Sequence, residues 1–306
     1  MTRADKRFPS LAQAIQQSGL SDGMTISFHH HLREGDQVLV QALTECARLG
    51  IKDLTVNASA LMACHRPIID FIKDGTVSGL ECNYMQASVG QAISRGLLKK
   101  EVIFRSHGGR PAALQRGEAH IDLAFIAASA ADPAGNCNGR AGQAAFGSLG
   151  YAMPDAEYAH YVVVMTDHLV DYPLLTPSID ETLVDAVVEV DSIGDPDKIM
   201  SGTTRITRDP IGLLIASQTA RALEASGLVK EGMSFQTGAG GISLAVASDL
   251  GRIMREKKIQ GSFASGGITG TLVELFEEGL FRDLLDVQCF DRQAVESLKR
   301  NPRHQE

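Results

Sequence analysis

The 306-residue sequence has no tryptophan and only 5 tyrosines. That poverty argues against an aromatic membrane belt and against a surface on which nucleic-acid bases stack. No stretch supplies the roughly 20 apolar residues of a membrane span. The N-terminal MTRADKRFPSLAQAIQQ lacks the apolar core of a secretory signal. Cysteine is sparse: Cys46, Cys64, Cys82, Cys137 and Cys289 form no CxxC pair and no dense framework. Reduced thiols in a cytoplasmic protein are the expectation. Positive charge is in deficit, with 29 Lys and Arg against 37 Asp and Glu and a net charge of -8. Such a surface offers little attraction to nucleic acid or acidic lipid, yet a local basic pocket for a small anion is compatible with it.

Several catalytic signatures are missing as well. There is no HExxH or GxGxxG, and no Walker lysine follows a glycine loop. His29, His30 and His31 are consecutive, and three neighbours on an extended chain cannot all point one way. No intrinsic metal is expected from them.

What the sequence does have is glycine, 30 residues in tight clusters, and short apolar runs. At 44% hydrophobic residues, a chain of this length can bury a substantial core without staples. MTISF (24–28), LTVNAS (54–59), VSGLEC (77–82), VIF (102–104), DLAFIAA (122–128), YVVVMT (161–166) and LVDAVVEV (183–190) read as strands. Helical patterns at 37–50 and 88–98 alternate with them, so the fold class is α/β with a mainly parallel sheet. A helix over 209–226 is broken by GLVKEGMS, after which strand and helix alternate again over about 80 residues. The reading places a first α/β domain at 1–227 and the beginning of a second, incomplete one at 228–306, ending in a polar tail, SLKRNPRHQE.

Four loops carry candidate chemistry. In FQTGAGGISLAV, Gly238, Gly240 and Gly241 stand between a strand and a helix, where backbone N–H groups can hold a phosphate or a thioester oxyanion. A structural close-packing turn explains the same pattern. GSFASGGITGT repeats the arrangement with Gly266, Gly267 and Gly270, and two such turns after neighbouring strands would line one cleft. SFHHHLREGD puts His29, His30, His31 and Arg33 after the first strand, suited to a polycarboxylate or else to a solvated loop. RSHGGRPAA adds His107 and Arg110, whose guanidinium fork matches carboxylate or phosphate oxygens. Arg205 and Arg208 can bind an anion or pair with acids. Cys137 has no adjacent histidine to activate it, and Glu277-Glu278 fits a solvated helix face.

These loops give the chain a recognisable character. DGMTISFHHHLREGD, SHGGRP, HIDLAFIAASAADPAGNCNG, FGSLGYAMPDAEYA, VDSIGDPDKIMSGTTRITRDPIGLLIA and SFQTGAGGISLAV occur in order. The sequence thereby resembles the citrate lyase alpha subunits, within the broader CoA transferases built from two open α/β domains. The resemblance implies a transferase that exchanges acetyl on a carrier thioester for citrate, giving citryl-carrier and acetate. It implies a beta subunit that cleaves the citryl thioester, and a gamma subunit bearing a phosphoribosyl-dephospho-CoA arm. Free CoA thioesters would act as analogues of that arm, and the complex would be a cytoplasmic oligomer serving citrate fermentation.

On this reading Arg33, His107, Arg110 and His29 to His31 bind the substrate. Gly238, Gly240 and Gly241 serve catalysis and hold the arm, with Gly266 and Gly267 beside them. Many related transferases use a glutamate nucleophile in the stretch corresponding to FASGG (263–267), where this chain has no carboxylate. Ser265 is the stand-in there, and direct attack by a citrate carboxylate on the thioester is the expected route. A CoA transferase or thioester hydrolase for another carboxylate is the alternative, as is a non-catalytic assembly subunit.

Overall fold

The apolar runs form strands in the computed structural model, which describes residues 5–200 and 204–306. The chain divides into two units. One holds the residues up to Ala145 with Tyr151–Lys198, and the other holds Phe146–Gly150 with Ile199–Glu306. The division thus falls at 198/199 instead of 227/228, and the helix after Asp209 belongs with the second unit.

The first unit contains β1 (Arg7–Phe8), β2 (Thr25–Phe28), β3 (Leu54–Ala58), β4 (Val77–Cys82), β5 (Val102–Phe104) and β6 (Leu123–Ala128). A small antiparallel pair follows, β7 (Ala130–Ala131) and β8 (Cys137–Asn138), and then β9 (Tyr161–Thr166) and β10 (Ala186–Glu189). Eight of these make one sheet in the order β1-β10-β9-β6-β2-β3-β4-β5, every neighbouring pair parallel. The helices are α1 (Leu11–Ser18), α2 (Val38–Arg48), α3 (Ile68–Lys73), α4 (Ala87–Ser94), α5 (Gly109–Gln115) and α6 (Met153–Tyr158). All of β2 and β6 is buried, as a parallel strand covered on both faces requires. Phe28 and Phe125 stack across these two strands with ring centroids 5.2 Å apart.

From β2 the strand order runs outward through β3, β4 and β5, then places β6 on the other side of β2. Open α/β sheets bind ligands at such a reversal, outside the carboxyl ends of the strands. The AADPAGNCNG turn beyond β6 is closed by Asp132, whose Oδ1 accepts the N–H groups of Ala134, Gly135 and Asn136.

The second unit contains α7 (Pro210–Ala225), β11 (Phe235–Gln236), α8 (Gly241–Lys257), β12 (Gly261–Ile268), α9 (Gly270–Glu277), β13 (Phe281–Cys289), α10 (Arg292–Arg300) and β14 (His304–Gln305). Its four strands are parallel in the order β11-β12-β13-β14. Two expectations are corrected here. SLKRNPRHQE is no polar tail, because it completes α10 and supplies β14, with Ser297, Leu298 and His304 buried. His304 links Ser297 Oγ (3.0 Å) to Asp286 Oδ2 (3.1 Å), so polar residues are accommodated inside by pairing with each other. Burial pushes the Asp286 carboxyl up, with His304 opposing it. Gly266 and Gly267 lie within β12 and not in a turn, at a break in register where Gly266 adopts φ +111°.

The Phe146–Gly150 segment is fastened to this sheet by Ser148 Oγ, which donates to the Asp286 carbonyl at 2.8 Å. Gly147, at φ +97°, leaves no room for a side chain because Cys289 Sγ occupies the space a Cβ would take. Gly147→Ala therefore combines overpacking with an unfavourable backbone conformation, and should lower unfolding free energy by about 2 kcal/mol or more. Urea denaturation checks this, and an unchanged midpoint would contradict the packing described.

Candidate functional site

Beyond Phe28 the chain leaves β2 at the reversal point, and His29, His30 and His31 are all buried there. His29 Nε2 lies 2.9 Å from Asp155 Oδ2, on α6. Arg110 of α5 grips the same carboxylate with both ends of its fork, Nη1 to Oδ1 at 2.6 Å and Nη2 to Oδ2 at 2.8 Å. Its Nε donates to Asn57 Oδ1 on β3 at 2.6 Å. Asn57 Nδ2 in turn donates to Glu81 Oε2 (3.2 Å), which also meets Arg105 Nε at 3.4 Å. Arg110 is only 2% exposed and Asp155 is fully buried. Burial by itself would raise the Asp155 carboxyl, but the Arg110 guanidinium and His29 hold it well below the usual carboxylate range. Arg110 thus spends its fork on an internal carboxylate.

The neighbouring side chains complete the cluster. His30 Nδ1 lies 2.6 Å from Ser59 Oγ, just past the end of β3. The His31 ring is tilted against His29, centroids 5.6 Å apart. His65 Nδ1 accepts the Met62 N–H at 3.0 Å, which places the ring proton on Nε2, 3.1 Å from Asp36 Oδ1. Arg33 is buried as well, in a backbone conformation with φ +52°. Tyr151 lies near His30 (centroids 6.3 Å apart) and near the exposed His107 (5.5 Å). Burial pushes both the His30 and His31 imidazoles well below their ordinary value, reinforced by Arg33 at His30 and by His29 at His31. Neutral, these two rings interact through hydrogen bonds, and Arg33 is the cation acting on His30. His29 Nδ1 is buried with no hydrogen-bond partner among the described residues.

In the second unit, α8 begins at Gly241 with Gly240 as its cap and no side chain capping its N–H groups. Open space surrounds the position of a Cβ at Gly240, and at Gly238 the nearest atom is Ser243 Oγ, 3.5 Å away. Gly241 differs, because its missing side chain makes room for the Arg205 carbonyl and Thr207 backbone. Gly267 likewise makes room for the Phe290 ring. Gly238 and Gly240 thus leave room for close approach, whereas Gly241 and Gly267 serve packing. β11 and β12 pair in parallel, Gln236 opposite Ser265, so the two glycine-bearing segments do lie side by side. Ser265 is half-buried on β12 next to Gly266.

Other candidates resolve simply. Glu277 and Glu278 are exposed, and Glu278 pairs with Arg255. The five cysteines are free thiols, with Cys137 buried and those of Cys46 and Cys82 pushed up to about 12 by burial. Among the described residues, no group of His, Cys, Asp or Glu is arranged to hold a metal ion. No described helix is long and apolar enough to cross a membrane. The sequence reading missed Asp155, Asn57, Ser59, Asp36 and His65. Only Asp155 carried a local signal, as an acid in the first turn of a helix with proline ahead of it.

Two parallel α/β sheets with glycine-rich strand ends define a fold of the CoA-transferase type. A 4-hydroxybutyrate CoA-transferase from Porphyromonas gingivalis shares that fold, with a TM-score of 0.60 at 17% identity over 98% of this chain and 67% of that one. More specifically, the chain belongs to the citrate lyase alpha subunit family (CitF), whose model matches residues 4–306. The citrate lyase alpha chain of Klebsiella pneumoniae is 47% identical over 99% of this chain, which spans 60% of that relative's length. The alpha subunit of citrate lyase from Streptococcus mutans, solved in complex with citrate, superposes with a TM-score of 0.96 at 48% identity. It covers all of this chain and is matched over 60% of its own.

The buried imidazoles make a pH prediction. In the unfolded chain histidines take up protons near pH 6.5, whereas His30 and His31 stay neutral in the fold. The unfolded state then binds more protons below that pH, so stability should fall on acidification by about 1.4 kcal/mol per pH unit for each ring. Denaturation between pH 7 and 5 tests this: His31→Gln should remove about one such increment from the slope, and a flat wild-type profile would contradict it.

Proposed function

We propose that this chain is the acyl-transferring subunit of a citrate lyase, placing citrate where acetyl stood on a carrier thioester and releasing acetate. The observation that carries this reading is the buried His–Arg cluster at the sheet's reversal point, in a chain 48% identical to an alpha subunit solved with citrate. Citrate is a trianion with one hydroxyl. Arg33 is the group proposed to meet a carboxylate, with neutral His30 and His31 hydrogen-bonding the others. His29 Nδ1, an acceptor when Nε2 carries the proton, suits the hydroxyl. Arg110 acts through Asp155 to hold His29 in place, and His107 stands at the exposed side.

The uncapped N-terminus of α8 suits the CoA-like arm, because Gly238 and Gly240 leave room for close approach. When bound, the arm supplies an electrophilic thioester carbon. The N–H groups around Gly240 and Gly241 stabilise negative charge on its oxygen, at about 3 kcal/mol for a well-placed donor. Ser265 and Gly266 lie on the adjacent strand. No carboxylate occupies 263–267, so the substrate's own carboxylate is the proposed nucleophile: it displaces the thiol to give an acetyl–citryl anhydride, and the returning thiol takes the citryl group and expels acetate. The beta subunit, the gamma carrier subunit and a cytoplasmic oligomeric complex complete the proposal.

The test is acetate release from acetyl-CoA by the 306-residue chain, with and without beta and gamma partners, as a function of citrate. Release should require citrate, and Arg33→Gln should raise the citrate KM about tenfold, the loss expected for one charge-assisted hydrogen bond. Release without citrate would favour a thioester hydrolase, and an unchanged KM would remove Arg33 from the site. No protein–acyl adduct should be trapped during turnover; a stoichiometric adduct on Ser265 would overturn direct attack.

A further inference from the structure

The second unit contains an open cleft of about 600 Å³ that the proposed transfer chemistry leaves unused. One wall is the 204–208 loop, carrying Arg205 and Arg208, and the other is the start of α9, with Thr269 and Thr271. The loop is fixed in place, since Thr207 N–H donates to the Gly241 carbonyl at 3.1 Å and Gly241 packs against the Arg205 carbonyl. Thr269 is the N-cap residue of α9, yet its side chain makes no capping bond. It is 1% exposed, and its Oγ1 has no hydrogen-bond partner among the described residues. A buried hydroxyl left without a partner is costly, so its place in the cleft wall points to a ligand that completes it.

The charges point the same way. Arg205 and Arg208 are exposed, and neither forms an ion pair with a carboxylate among the described residues. Arg7, Arg48, Arg105, Arg110, Arg252, Arg255 and Arg300 all do. The cleft's one acid, Asp291, is already engaged: Oδ2 accepts the Gly270 N–H at 2.6 Å and Oδ1 the Ala294 N–H at 2.9 Å. Its charge is thereby set against the starts of α9 and α10.

We infer that this cleft is a phosphate-binding site, in which Arg205 and Arg208 neutralise a phosphoryl dianion and Thr269 Oγ1 donates to one of its oxygens. Two guanidinium forks and a hydroxyl form a three-dimensional set of donors, which suits a tetrahedral phosphoryl group better than a planar carboxylate. The phosphoryl group belongs either to a free phosphate or to a nucleotide-bearing thiol such as coenzyme A. The site does not depend on the citrate reading, and its test measures binding, not turnover.

Isothermal titration of the full chain with inorganic pyrophosphate, and separately with coenzyme A, provides that test. Pyrophosphate should saturate the wild type, and the double variant Arg205→Gln/Arg208→Gln should weaken binding by about tenfold or more, the loss of at least one charge-assisted contact. Thr269→Val should weaken it several-fold while Thr269→Ser keeps it. If the valine variant does not fold, the two exposed arginines still decide the matter. Competition between pyrophosphate and coenzyme A assigns the site to the nucleotide-bearing thiol, and absence of competition assigns it to free phosphate. No saturation by pyrophosphate up to about 10 mM, a range covering weak specific sites, would overturn the inference. So would undiminished affinity in the double variant, or citrate binding lost in that variant while pyrophosphate never binds.

Discussion

A carboxylate sealed from water is tolerable only when its charge is matched at close range, and Asp155 meets that condition through Arg110 and His29. The matching constrains much of the first unit. Arg110 is on α5, Asp155 on α6, Asn57 on β3 and His29 just past β2, so one ionic network fixes the relative positions of four chain segments. Removing one partner would strand a buried charge, at a cost of about 3–5 kcal/mol. The network is therefore a positioning device: it orients His29, next to the residues proposed to meet the substrate, His30, His31 and Arg33.

The proposed function asks different physics of the two units. In the first, burial keeps the His30 and His31 imidazoles neutral, so they contribute directed hydrogen bonds while arginine supplies charge. In the second, backbone amides at helix starts and short strands with glycine at their ends carry the electrostatics. Helix starts and a few arginines can hold anions locally even in a protein whose net charge is -8.

Much of the fold was legible because its strands are buried on both faces. Runs such as YVVVMT and DLAFIAA have no alternation to hide, and each became a strand within a residue or two of its expected bounds. The C-terminal strand was not legible, since His304 and Ser297 are polar residues buried by pairing with Asp286, and hydropathy cannot see a partner 18 residues away. The same blindness applies to the site. The histidines and Arg110 were visible as unusual local patterns, but Arg110 looks like a ligand-binding fork until Asp155, 45 residues later, is seen to fill it. Gly241 and Gly267 resembled ligand-facing glycines, while their neighbours in space are protein atoms. Local pattern names the residues that carry chemistry; which of them face a ligand is decided by long-range partners.

The central claim is that neutral imidazoles at the β2–β6 reversal point, positioned by the Asp155 network, contact citrate directly. Nitrogen-15 NMR of selectively labelled histidine, followed through a citrate titration near pH 7, tests it most directly. The account predicts that the His30 and His31 signals have neutral-ring shifts before citrate is added and move with citrate in a saturable way. It predicts that they do not move with acetate at equal ionic strength. Saturable citrate binding that leaves both rings unperturbed, or rings already charged at that pH, would contradict it.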